Sequence, residues 1–302
     1  MRTILGLSLM GLAACTSDKE GGDSGVGGDG GGTATDRFDE FINVTVTATG
    51  DMTCYDGSTW NAQVVDPLKE GHEISADYEV LDFESDDPVS DATIEIWFDN
   101  QITGTADSTA TTGADGTVGG PYPVCQPVAY KVSTDPDLDE TKVTFEVNQV
   151  GVYTESSMTV EFNSVSSTTY AIIPSLLGVS PDADKGIAAG TVYDCDGDPI
   201  MGAQVLVRDS SSDIPESLVV KYFVDEFPNR NQEYTSEDGL WVAINIPAGD
   251  AVAEAYVADG LGGYTLIGKA NMSVQADSIN IASIYTGIED GVYYPDNCLE
   301  GF

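Results

Sequence analysis

The chain is predicted to be all-β, built as two tandem β-sandwich domains, and three observations predict it. Apolar and polar residues alternate in 92–98 (ATIEIWF), 142–147 (KVTFEV), 158–162 (MTVEF), 203–207 (AQVLV) and 278–285 (SINIASIY). A period of two turns one side of each such segment toward a core. Asp-Pro, Asp-Gly and Ala-Gly dipeptides punctuate these runs, supplying turn conformations that β-branched residues resist. No segment keeps a helical period through a dozen residues. The third observation is that the pattern occurs twice.

Residues 82–96 (DFESDDPVSDATIEI) align without gaps to 193–207 (YDCDGDPIMGAQVLV) at an offset of 111. Asp87-Pro88 matches Asp198-Pro199, Val89 matches Ile200, Ala92 matches Ala203, and Ile94 and Ile96 match Val205 and Val207. Downstream, 112–116 (TGADG) matches 235–239 (TSEDG), and the strand-like 127–132 (PVAYKV) matches 251–257 (AVAEAYV). The second copy carries an insertion that begins near Asp209. Self-similarity on this scale reads as one fold used twice. In this alignment Asp194 faces Phe83 and Asp196 faces Ser85, and only Asp198 keeps its type, as Asp87. What the copies share is a corner leading into a strand, not a set of ligands.

Taken in order, the first element is not part of the fold. Residues 1–14 hold one basic residue, Arg2, then an apolar run too short to span a bilayer as a helix. The run ends in Leu12-Ala13-Ala14-Cys15, which resembles the lipobox of bacterial lipoproteins. That resemblance implies cleavage before Cys15 and a diacylglycerol on its thiol, hence membrane attachment through acyl chains rather than a spanning helix. Thr16 follows the cysteine where an aspartate often marks inner-membrane retention in that family, so outer-membrane or cell-surface placement on a bacterium is implied.

Residues 15–36 are rich in glycine and nearly free of apolar side chains. Such a segment cannot bury enough surface to offset its ordering entropy, and is expected to be a flexible tether reaching roughly 25 Å by random-coil scaling. The first sandwich is assigned to 37–175, with an N-terminal extension at 37–77. A turn-rich linker follows at about 175–186, in which Leu176 and Leu177 are candidates to dock the two domains. The second sandwich is 186–302. Trp97 and Trp241 sit on alternating strands as packing residues, whereas Trp60, in the irregular stretch DGSTWNAQ, is the candidate for stacking on a ligand.

The second copy carries a family resemblance. GTVYDCDGDPIMGAQVLV followed by TSEDGLWVAINIPAGDAVAEAYV resembles the carboxypeptidase regulatory-like domain over about 186–285. The recurring positions are Gly190, Asp194, Gly197, Pro199, Gly202, Ala203, Thr235, Asp238, Gly239, Pro247 and Gly249. The first copy matches more weakly, over about 78–134, with Asp91 in place of Gly202. The resemblance implies a seven-stranded transthyretin-like (Ig-like) sandwich that serves as a binding or spacer module and carries no catalytic residues.

Composition narrows the function. Fifty-one acidic against 11 basic residues give a formal charge of −40. Nucleic acid is excluded as a partner, because neutralising its phosphates requires basic patches. Four cysteines besides Cys15, namely Cys54, Cys125, Cys195 and Cys298, are an even number in an exported chain and read as two disulfides. Three connectivities exist, and one bridge within each domain, Cys54–Cys125 and Cys195–Cys298, is the expectation.

A nucleophile–histidine site would have to use the single histidine, His72, in a polar stretch without a Ser elbow, so no enzyme is predicted. Calcium has two candidate acid loops, Asp135/Asp137/Asp139 and Asp194/Asp196/Asp198. Both fail the EF-hand count, with Glu140 and Pro199 at the position that count reserves for glycine. A non-EF carboxylate site is the only calcium option left, and no other cofactor is implied. The sequence reading is therefore a lipid-anchored, non-catalytic binding, adhesion or spacer module engaging another protein or a polysaccharide. Its alternatives are a calcium-dependent module and an accessory subunit of an envelope complex.

Overall fold

The computed structural model describes residues 37–137, 140–154, 157–224 and 227–299, which belong to one compact unit. The signal, the tether, Cys15 and Asp139 lie outside the described residues. A single helical turn, α1 (Phe38–Phe41), comes first, followed by an irregular run to residue 71. The first repeat contains β1 (His72–Asp82), β2 (Thr93–Trp97), β3 (Ser108–Thr111), β4 (Thr117–Val124), β5 (Pro127–Ser133), β6 (Thr141–Lys142), β7 (Thr144–Val150) and β8 (Ser157–Ser166). Helix α2 (Ser167–Leu177) leads into the second repeat. There follow β9 (Lys185–Tyr193), β10 (Gln204–Asp209), β11 (Val219–Val224), β12 (Phe227–Asn229), β13 (Leu240–Pro247), β14 (Gly249–Ala258), β15 (Tyr264–Val274), β16 (Ile279–Ile281) and β17 (Ile284–Tyr285). A last turn, α3 (Asp296–Leu299), holds Cys298.

The all-β prediction holds; β1, most of β2 and the outer part of β8 alternate buried with exposed or half-buried residues, whereas β7 and β10 are buried on both sides over their first four residues. In β1 the inward residues are Ile74, Ala76, Tyr78 and Val80, and in β2 they are Ile94 and Ile96. The sheet β4-β1-β8-β6 packs on β7-β5-β2-β3 around Tyr78, Tyr122, Tyr130 and Phe162, whose rings meet edge to face. In the second repeat β10-β14-β15 packs on β12-β11-β13-β9 around the fully buried Trp241. Trp97, Ala129 and Val147 of the first repeat turn to the other side of their sheet and join that second core.

One sheet runs through both repeats. Strand β16 pairs in parallel with β7 on one side and β9 on the other, giving the order β12-β11-β13-β9-β16-β7-β5-β2-β3.

The repeat survives as a hydrogen-bond pattern. Thr112 Oγ1 accepts from Ala92 N (2.9 Å) and donates to Val89 O (2.8 Å). Thr235 Oγ1 accepts from Ala203 N (2.9 Å) and donates to Ile200 O (2.6 Å). Gly116 and Gly239, at φ 73° and 67°, lie against Pro88 and Pro199, so a side chain at either would be strained and would collide with the proline ring.

Three features differ from expectation. The disulfides are Cys54–Cys195 and Cys125–Cys298, not Cys54–Cys125 and Cys195–Cys298. The reason is where the N-terminal extension goes. Residues 44–66 lie on the second repeat, with Val44 N bonded to the Gln204 side chain, Thr49 N to Met201 O and Asn61 N to Gly287 O.

The helix α2 is the second difference. Its Thr and Ile residues and the internal Pro174 disfavour a helical reading. The Ser166 side chain caps its N-terminus by accepting from Thr169 N, and Gly178, at φ 72°, ends it in the left-handed conformation. Within the linker, Leu177 is buried against Ile187, Phe223, Val242 and Ile244, while Leu176 remains exposed. Third, the ungapped alignment misplaces one aspartate, as the site geometry shows.

Candidate functional site

The candidate surface forms where residues 50–61, the turn 193–199 and the loop 284–294 meet. Its hub is Asp194, buried to 5% exposure. One carboxylate oxygen, Oδ1, accepts from Asp196 N and Asp198 N, both at 2.9 Å. The other, Oδ2, accepts from Asp51 N at 2.8 Å. The backbone closes around it, with Asp194 N donating to Asp198 O and Cys195 N to Asp51 O, both at 2.8 Å. Gly50, at φ 129°, passes so near that a Cβ there would lie 3.1 Å from Asp194 Oδ2. The Cys54–Cys195 bridge locks the same crossing.

This geometry gives each acid of the turn its own place. Asp194 points inward and has both oxygens engaged by N–H groups, while Asp196 and Asp198 are exposed. The three do not gather around one point, and among the described residues no group of three acidic, Cys or His side chains is arranged to hold a metal ion. In the other loop Asp135 Oδ1 accepts from Asp137 N at 2.9 Å, an Asx turn on the surface, and Asp139 is outside the described residues.

The first repeat has an Asp194 of its own, and it is Asp82, not Phe83. Asp82 Oδ1 accepts from Glu84 N (3.2 Å) and Ser85 N (3.1 Å), and Oδ2 accepts from Ser166 N (3.0 Å). The turn closes through Asp82 N to Asp87 O, one residue longer than Asp194 N to Asp198 O. That single extra residue shifts the ungapped alignment out of structural register.

Aromatic side chains cover the rest of the surface. Trp60 stacks on Tyr55 with centroids 4.8 Å apart, and the Lys269 ammonium lies 5.4 Å from the Trp60 centroid. Glu289 Oε1 stands 4.0 Å from that ammonium. Burial, with Asp56 and Glu289 nearby, pushes the Tyr55 phenol above its ordinary pKa. Beside this pair, Tyr193, Tyr285 and Tyr293 form a three-ring stack at 5.0 and 4.8 Å. Next to Tyr293 in the chain, Tyr294 N bonds to the Gln63 side chain.

Trp60 is thus half-buried within a stack rather than standing clear of the surface. The tyrosine stack could have been sought in the sequence, since Tyr193 and Tyr285 end paired strands, but pairing of β17 with β9 is a tertiary fact. Trp97 and Trp241 are core residues, and His72 is exposed at the start of β1, its ring 6.2 Å from Tyr153. Chemically the surface offers ring edges, a Lys–Glu pair and a braced backbone.

No protein-family model matches the chain, so the carboxypeptidase regulatory-like resemblance of 186–285 stays a resemblance, and no curated protein matches it either. Among solved structures it is similar to the Bacillus anthracis TIE protein (12% identity, TM-score 0.23), covering 71% of this chain and 33% of that one. The shaft pilin SpaA from Lactobacillus rhamnosus GG (9% identity, TM-score 0.23) is matched over 71% of this chain and 98% of its own. BcpA, the major pilin subunit of Bacillus cereus, shows 9% identity and a TM-score of 0.23 over 71% and 99%. The chain spans about a third of the length of the TIE protein. Likeness at these scores carries no argument about function. Among the described residues, no helix is long and apolar enough to cross a membrane.

Proposed function

We propose that the chain is an exported, lipid-anchored, non-catalytic module that holds a rigid β body at the bacterial envelope for adhesion or spacing. The observation that carries this reading is the sheet shared by both repeats, with β16 between β7 and β9. Two disulfides with sequence separations of 141 and 173 residues brace the same body across the repeats. A sheet of this kind cannot open as a hinge without breaking ladder hydrogen bonds, which suits a part that presents a surface at fixed geometry. Cys15 is the attachment point, and residues 15–36 are the tether. The test is palmitate labelling of intact cells with protease treatment from outside. Label on the wild type, none on Cys15→Ser, and release of one resistant body from the tether are expected. Label retained by Cys15→Ser overturns the anchor, and rapid degradation of the released body overturns the rigid spacer.

A second reading, engagement of a polysaccharide, is favoured by the Tyr55–Trp60–Lys269 arrangement on the disulfide-braced surface. Glycan-array binding lost in Trp60→Ala supports it, and binding that survives the substitution removes this surface as the site.

A further inference from the structure

We propose that Tyr285 and Tyr293 are a site of oxidative cross-linking, where a one-electron oxidant working with hydrogen peroxide joins the two rings through a carbon–carbon bond. Coupling of two phenols needs their ring edges in contact before reaction. The structure supplies that contact. Tyr285 lies between Tyr193 and Tyr293, with centroids 5.0 and 4.8 Å apart and planes 17° and 16° from parallel. For planes in van der Waals contact at about 3.5 Å, a 4.8 Å centroid separation slides the rings sideways by roughly 3 Å. That offset lays edge carbons of one ring over edge carbons of the other. Among the described residues the other tyrosine pair is Tyr78 with Tyr122, edge to face at 6.4 Å and only 1% and 2% exposed. The Tyr285 stack is half-buried instead, so an oxidant in solution can draw electrons from it.

Backbone freedom selects Tyr293 over Tyr193 as the partner. Coupling turns stacked rings edge to edge, so one of the two backbones must yield. Tyr193 and Tyr285 are register partners on the parallel strands β9 and β17, and Thr286 N and Oγ1 both donate to Tyr193 O at 2.9 Å. Tyr293 lies in the irregular stretch between β17 and α3, beyond Gly291 at φ 86°. In the reaction each phenol gives up one electron and its hydroxyl proton, and the two phenoxyl radicals join at carbons ortho to oxygen. The hydrogens on those carbons pass to the oxygens as protons, restoring both phenols. The pair loses two electrons and two protons in all, which reduce one peroxide to two waters. The new bond closes the loop 285–293, which runs along the edge of β15 through Gly287 N to Ile267 O (2.7 Å), Lys269 N to Ile288 O (3.0 Å) and Asn271 N to Asp290 O (2.9 Å). A bare edge strand is a template for pairing with other chains. The cross-link fastens the segment that covers it with a bond that thiols do not reduce.

The test treats the full chain, purified without reductant, with a haem peroxidase and hydrogen peroxide, dilute enough that chains rarely meet. The product is reduced, denatured and digested with a protease that cuts after Asp and Glu, which parts Tyr285 from Tyr293 at Glu289 and Asp290. Dityrosine fluorescence on monomeric chains is expected, together with a joined peptide pair carrying Tyr285 and Tyr293 and lighter by two hydrogens. Tyr285→Phe and Tyr293→Phe are each expected to lower that fluorescence to the level of untreated chain, whereas Tyr193→Phe is expected to keep the joined pair. Each substitution retains the ring, and among the described residues none of the three hydroxyls is held by a hydrogen bond. Melting temperatures of the variants are therefore expected to match the wild type. A wild-type monomer without the joined pair overturns the inference, as does dityrosine formed only between chains. So does fluorescence of monomeric chains that survives Tyr285→Phe, or a joined pair that carries Tyr193 in place of Tyr293.

Discussion

Substituting the three aspartates of the turn 194–198 one at a time separates a structural carboxylate from a metal ligand. In Asp194→Asn the retained oxygen still accepts from Asp196 N and Asp198 N, which the acid holds at 2.9 Å. The new amide then points a donor at Asp51 N, which the acid accepts at 2.8 Å. One hydrogen bond to a charged acceptor is lost, about 1.5–3 kcal/mol, and a donor faces a donor at a residue only 5% exposed, adding roughly another 1 kcal/mol. The expected loss is about 2–4 kcal/mol. Asp196→Asn and Asp198→Asn change exposed side chains and are expected to stay within about 0.5 kcal/mol of the wild type.

Asp82→Asn occupies the equivalent place in the first repeat, but its bonds are longer, at 3.0–3.2 Å, and the residue is half-buried. A loss of about 1 kcal/mol is expected there, below that of Asp194→Asn. The assay is urea unfolding of each variant in calcium and in EDTA. A native-state calcium site at a hundredfold excess over Kd would add about 2.7 kcal/mol, whereas matching curves are expected. Similar losses in all three turn variants, together with a calcium-dependent midpoint, would refute the reasoning.

Three further outcomes follow from buried groups and from the cross-braces. Glu146 is 6% exposed and receives hydrogen bonds from the Tyr130 hydroxyl, the Asn163 amide (3.2 Å) and the Gln149 amide (2.7 Å). Burial raises its pKa above the ordinary carboxylate value. The protonated form is therefore the one the fold favours, and its contribution is complete below the unfolded pKa of about 4.3 and is lost as pH rises through the raised folded value. Glu146→Gln is expected to flatten that decline in a series of urea midpoints against pH; an unchanged pH profile counts against it. Thr112→Val and Thr235→Val each remove a buried hydroxyl bridging two backbone groups, costing about 1–3 kcal/mol apiece. The two sites share no partner, so denaturant melts of the double variant are expected to show the sum within about 0.5 kcal/mol. Peptide mapping without reduction is expected to recover Cys54 with Cys195 and Cys125 with Cys298. Loss of either bridge costs about 5 kcal/mol on chain-entropy grounds, measured by equilibrium unfolding of Cys54→Ser/Cys195→Ser and Cys125→Ser/Cys298→Ser.

The strands were legible where one side is wetter than the other, as in β1 and β8. The period of two in ATIEIWF and MTVEF appears directly as β2 and β8. Trp97 and Trp241 were legible as packing residues because they sit within such strand-like runs. Disulfide pairing was not, since it depends on residues 44–66 crossing to the second repeat, and nothing local to Cys54 encodes that destination. Helix α2 was hidden because its evidence lies at its ends, at Ser166 and Gly178, while Thr, Ile and Pro174 inside it argue for other structure. The tyrosine stack needed β17 to be placed beside β9, and strand order is a property of the whole chain.

The two aspartates connect the acidity of the chain to its architecture. Asp82 and Asp194 stand at the end of the first strand of their repeats, and each divides its carboxylate in the same way. Oδ1 closes the local turn, and Oδ2 receives one N–H from a segment that arrives from elsewhere: Ser166 at the start of α2, and Asp51 of the N-terminal run. A backbone N–H reaching this corner meets a charged acceptor already held in place by the turn, so the bond forms with little further ordering. The corner is therefore a fastening point that each repeat uses for a different strap. At the second repeat the Cys54–Cys195 bridge fastens the same strap covalently. DCDGDP resembles a calcium loop because both set carboxylates at alternate positions of a tight turn. Here Asp194 accepts from three backbone N–H groups instead, two that close its own turn and one, from Asp51, that fixes the N-terminal run on which Tyr55 and Trp60 stand.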